Sequence, residues 1–191
     1  VTSLRAENCM GKLFHCQKGG LFEILLDLIY LQFDFAHIGI IIRGGITIGK
    51  LRHIREEIFG PAMNAAYALE NQKAIFPRII IEADTIEKGL KKTYDKTCPI
   101  EYSLEFEKEQ VMSLLKRDED GLYYLDFLSQ YGEFDEYDGY IQFLSEVGHK
   151  IGKEKLLNRD NKHVLEKYEW LSKYYNETIS RINEKYGLKS V

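Results

Sequence analysis

Little in this sequence points to a secreted, membrane or nucleic-acid-binding chain. Its three cysteines, Cys9, Cys16 and Cys98, are odd in number and irregularly spaced, so no disulfide framework follows. Cys9 and Cys16 bracket His15, yet no second pair completes a zinc set, and free thiols of a cytoplasmic protein are the expectation. No run approaches the roughly 18 uninterrupted apolar residues of a membrane helix, and residues 1–20 lack the apolar core of a signal peptide. With 26 Lys and Arg against 30 Asp and Glu, the net charge of −4 gives no basic excess for a nucleic-acid groove. No repeat or low-complexity linker divides the 191 residues, which suits one buried core.

What is present is an ordinary globular composition, 45% hydrophobic and 29% charged, with one informative stretch at residues 38–82. An apolar run at 38–42 predicts a strand leading into Arg43-Gly44-Gly45. Alternation at Ile46-Thr47-Ile48 stops at Gly49. A polar loop with Lys50, Arg52, His53, Arg55, Glu56 and Glu57 is expected next. Phe59-Gly60-Pro61 then opens a helix, because proline fits the first helical position. A strand at 78–82 closes the span. Strand, loop, helix and strand in so short a stretch predict a crossover unit at the edge of an α/β core.

Gly45-Ile46-Thr47-Ile48-Gly49 and Gly60-Pro61-Ala62-Met63-Asn64-Ala65-Ala66 resemble two motifs of the class III nucleotidyl cyclases. The wording of residues 43–70 is similar to bacterial relatives of that superfamily, among them the antiphage pyrimidine cyclases of Pycsar type. The resemblance implies an α/β (α+β) fold with a ferredoxin-like cyclase-type core at residues 1–135, incomplete at the N-terminus. Residues 136–191 would form a helical C-terminal extension. In such enzymes the 3′-hydroxyl of a nucleoside triphosphate attacks its own α-phosphorus with the help of two divalent ions. One chain of a dimer brings two metal-holding aspartates. The other brings an Asn that orients the ribose and an Arg that stabilises charge at phosphorus.

By that resemblance Asn64 takes the ribose-orienting position, and Arg43, Gly45, Gly49, Lys50, Arg52 and Arg55 line the nucleotide with it. Two departures stand beside it. Residues 1–20 hold Glu7 as their only acid, so no aspartate strand is expected there, and Ala68 stands where the charge-stabilising Arg belongs. The expectation is a truncated or degenerate cyclase relative, inactive alone, with no metal ligand of its own. Mg²⁺ or Mn²⁺ would enter only where a partner supplies the aspartates. Partners would be a homodimer mate or a cyclase relative, with a nucleoside triphosphate as ligand. The alternatives are a dimerisation or interaction module that uses only the fold, its aromatic C-terminal helix supplying the contact, and a fragment of an active cyclase. Plainer readings of the same residues are a bend at Gly44, Gly45 and Gly49, and surface pairing of Arg43 and Arg55 with Glu56 or Glu57.

Around this stretch, residues 21–37 predict a helix apolar over most of its circumference, packed on a sheet and on something else as well. Its acids Glu23, Asp27 and Asp34 read as a solvated face rather than a metal stripe. A helix is expected at 83–92, strand running into helix at 104–116, an acidic turn at 118–121 and a strand at 122–128. Two apolar stripes then predict helices, the second capped by Asp160 or Asn161 and stopped by Gly187. Trp170 and Tyr174 flank that stripe, facing either a partner subunit or this chain. Met10–Cys16 suggests a short strand, and either residues 1–17 or another chain is expected to cover an open sheet edge.

Overall fold

The computed structural model describes residues 20–55, 57–93, 104–180, 182, 188 and 190–191. The expectations for residues 1–17 and the stop at Gly187 lie outside them. Helix α1 (Gly20–His37) buries Leu21, Leu25, Ile29, Gln32, Phe33 and Ala36, spaced as one helical face requires. It ends in a Schellman turn. Gly39 takes φ 84°, its N–H donates to the Ala36 carbonyl at 2.9 Å, and the Ile40 N–H donates to Phe35 at 2.8 Å. That turn displaces the strand expected at 38–42, and strand β1 begins only at Gly44 (Gly44–Ile46).

The expected polar loop is instead an antiparallel ribbon of β2 (Arg52–Ile54) and β3 (Glu57–Phe59), with Arg52 opposite Phe59. All six residues are exposed. Helix α2 (Pro61–Gln72) starts at Pro61 as expected, after Gly60 at φ 145°. Strand β4 (Ile79–Ile81) runs parallel to β1, pairing Gly44 with Ile79 and Ile46 with Ile81. The crossover unit is therefore β1, ribbon, α2, β4.

Helix α3 (Ala83–Thr93) follows directly. At 104–116 the expected order is reversed: helix α4 (Leu104–Ser113) precedes strand β5 (Leu115–Arg117). Glu105 and Glu107 in the first turn suit a helix N-terminus, and Leu115–Arg117 pairs with β6 (Tyr123–Leu125) across the acidic turn. Strand β6 is shorter than expected because Phe127–Ser129 winds into a 3₁₀ turn. Helices α5 (Tyr137–Leu157) and α6 (Lys162–Ile179) complete the chain, and the Asn161 side chain accepts from the Val164 N–H at 3.3 Å. The sheet order is β1-β4-β6-β5, an α+β arrangement with one parallel and two antiparallel pairings. Helices α5 and α6 share one hydrophobic core with this sheet.

Arg78 holds several elements at once. Its side chain is 1% exposed and pairs with Asp118 and Asp120 of the turn between β5 and β6. The guanidinium lies 5.5–5.8 Å from the ring centres of Trp170, Phe76 and Tyr124. Trp170 stacks on Phe76 and donates its indole N–H to Asp118 at 2.9 Å. The Tyr174 hydroxyl donates to Asp126 at 2.6 Å and accepts from the Leu128 N–H at 2.9 Å. Trp170 and Tyr174 thus face their own chain, which removes the partner-subunit reading of these two residues.

Two outcomes follow. Arg78→Met strands two carboxylates that a buried cation holds, and should cost about 3 kcal/mol in urea unfolding. At high pH the buried tyrosines become a liability. Burial, and then the Asp126 carboxylate, push the Tyr124 and Tyr174 hydroxyls up, and burial does the same at Tyr140. The folded state favours their neutral form, so this stabilisation is complete below the ordinary value of 10.0 and is lost as pH rises past it. Tyrosinate absorbance of these residues should rise only together with loss of the helical circular dichroism.

Candidate functional site

The two glycines of the motif are contact points between strand and helix. A Cβ on Gly45 would sit 3.0 Å from the Ala66 carbonyl oxygen, the Glu70 nitrogen and the Leu69 Cβ. One on Gly49 would sit 3.1 Å from the Ala62 Cβ. Their spacing therefore lets α2 lie directly on the chain backbone from β1 onward. Gly44 differs: a Cβ there would meet only the Ile79 side chain, at 3.6 Å.

The ribbon is tied to the same helix start. The Ala62 N–H donates to the Lys50 carbonyl at 3.2 Å, and Gly60 packs against the Lys50 and Leu51 backbone. Asn64 sits in the first turn of α2, its N–H bonded to the Gly60 carbonyl at 3.3 Å and its side chain exposed. Lys50, Arg52 and Arg55 are exposed, and none forms an ion pair with a described residue. Arg55 holds a positive φ of 53° at the ribbon turn. Arg43 is different: it pairs with Glu70 on α2, and among the described residues it does not pair with Glu57. Of the expected site, then, Gly45 and Gly49 seat the helix, Arg43 is engaged elsewhere, and Lys50, Arg52, Arg55 and Asn64 are left open on one strand–ribbon–helix unit.

Sequence reasoning missed the apolar surface on this unit. Ile58, Phe59, Met63 and Tyr67 are 40–68% exposed on β3 and α2. Met63 and Tyr67 lie one helical turn apart, a spacing that could have flagged them.

The unit carries exposed cations on the ribbon segment and an exposed amide at the helix start. Among the described residues no cluster of three or more His, Cys, Asp or Glu is placed to hold an ion. Glu23, Asp27 and Asp34 are all exposed along α1, as a solvated face requires. Two larger clefts lie elsewhere. One of about 1070 Å³ is lined by α5 residues such as Gln142 and His149 with Tyr175 and Val191. Another of about 690 Å³ is lined by Asp126, Tyr131, Tyr137, Tyr140 and Glu177. Neither includes a described residue of the ribbon or α2.

No family model matches this chain, and no curated protein or solved structure matches it.

The packing account separates two neighbouring glycines. Gly45→Ala should push α2 off the strand and lower stability by about 1–3 kcal/mol. Gly44→Ala should be near neutral, since its added methyl meets only ordinary contact. Urea unfolding of the two variants side by side checks this.

Proposed function

We propose that this chain is a nucleotidyl-cyclase-like domain that contributes the Asn-bearing half of a composite nucleoside triphosphate site. The observation that carries the reading is that α2, with exposed Asn64 in its first turn, follows directly on a ribbon segment whose exposed Lys50, Arg52 and Arg55 have no ion partner among the described residues. Triphosphate charge would be met by the ribbon cations, and Asn64 would orient the ribose through hydrogen bonds to its hydroxyls. The two divalent ions of the reaction would be held by aspartates of a second chain, a division of the site that the resemblance implies. A bound metal would lower the pKa of the attacking hydroxyl. This chain's part is to bind and orient the nucleotide.

The exposed Ile58, Phe59, Met63 and Tyr67 around Asn64 support a partner on this face. Ala68 leaves out the charge-stabilising cation, a loss that costs about 10²–10³ in rate for a comparable donor. A dimer with a full cyclase relative would therefore be damped rather than activated. The rival reading is a dimerisation module using the same apolar face with no nucleotide. Affinity for triphosphates separates the two.

Isothermal titration with ATP, GTP, CTP and UTP should detect binding that weakens with salt. Arg52→Ala with Arg55→Ala should weaken it about tenfold, and Asn64→Ala should weaken it further, whereas the module reading expects no heat at all. The protein alone with Mg²⁺ or Mn²⁺ should release no cyclic nucleotide. Turnover that disappears in Asn64→Ala would contradict the half-site reading.

A further inference from the structure

Helix α1 carries a second apolar stripe that the described residues cover only in part, Leu28 packing against the core while Ile24 and Leu31 stay exposed. Ile24, Leu28, Leu31 and Phe35, with Ile38 in the turn just after the helix, follow one another by steps of four and three, the alternation of a coiled-coil seam. Ile24, Leu31 and Ile38 are 55%, 41% and 70% exposed, and Leu28 and Phe35 are half-buried. The buried face of α1 is a separate set, centred on Leu25, Ile29 and Phe33. A helix apolar on both sides needs two packing partners, and α3, α4, α5 and the 3₁₀ turn at Phe127–Ser129 leave Ile24 and Leu31 exposed.

Charge says what the other partner carries. In the heptad frame that puts Leu28 and Phe35 at one core position and Ile24, Leu31 and Ile38 at the other, Asp27 and Asp34 occupy successive positions beside the seam. Both are exposed, and neither pairs with a described residue. Helix α1 contains no Lys or Arg. A second copy would therefore bring no cation to these carboxylates, and an antiparallel copy would set them against one another.

We propose that the Ile24–Ile38 seam of α1 docks an amphipathic helix of a different polypeptide. That helix has apolar residues in heptad spacing and Lys or Arg beside its own seam. Apolar burial would supply the affinity, and the carboxylates would choose the partner and its register. The docking is independent of the nucleotide reading, because it uses no residue of the ribbon or α2.

The test uses the full chain and two synthetic three-heptad peptides. Both have Leu at the core positions; one has Lys at both flanking positions and the other has Glu. Fluorescence anisotropy should show saturable binding of the Lys peptide, at least about tenfold tighter than the Glu peptide and weakened by salt. Leu31→Glu should abolish it with an unchanged circular dichroism spectrum. The surface pair Asp27→Lys with Asp34→Lys should reverse the preference between the peptides. Equal binding of both peptides, binding of neither, or binding that survives Leu31→Glu would overturn the proposal. So would a dimer in sedimentation that Leu31→Glu dissociates, since that makes a second copy the occupant.

Discussion

The structure depends most on one buried cation. Arg78 leads into β4, the strand at the middle of the sheet's parallel and antiparallel halves, and its guanidinium is held by two carboxylates of the β5–β6 turn. Burying a charge is costly unless it is paired, so the turn has to be where it is whenever β4 is in place. Trp170 extends the constraint to α6 by bonding the same Asp118 and stacking on Phe76. Three segments distant in sequence are thereby fixed to each other. Among the described residues the Arg78 Nε has no hydrogen-bond partner, and the ring faces around the guanidinium offset part of that cost.

With β4 fixed, β1 pairs beside it in parallel and α2 must cross back over the two. The crossing is close because Gly45 and Gly49 have no side chain in the way. That contact decides where Asn64 and the ribbon end up. Glycine spacing, which the resemblance reads as part of a nucleotide site, is here a packing feature that places the polar residues. The two roles are compatible, because close seating of α2 on glycine backbone fixes where the start of the helix lies.

Features set by local chemistry were legible in the sequence. Pro61 gave the start of α2, Asn161 gave a cap, and the Ile79–Ile81 run gave a buried strand. The α+β character followed from these. What failed was decided by geometry at a distance. The apolar run at 38–42 looked like a strand, but Gly39 closes α1 with a left-handed turn and uses up those residues. Residues 52–59 looked like a loop because cations and acids interrupt them, yet cross-strand pairing makes a ribbon. Leu104 to Phe106 alternates as a strand does, and the helix wins because the partner strand of β6 lies further on, at Leu115–Arg117. At the site, exposure of Asn64 and the glycine spacing were readable. The engagement of Arg43 by Glu70 was not, because it depends on which face of α2 meets the strand.

The central claim is that one surface, the ribbon together with the first turns of α2, receives a polyanionic nucleotide. Hydrogen exchange followed by mass spectrometry, with and without a saturating nucleoside triphosphate, tests it most directly. The account predicts slowed exchange in residues 50–67, and no change in the α5 and α6 segments that line the two large clefts. Protection confined to α5 and α6, or none anywhere at saturating nucleotide, would contradict it.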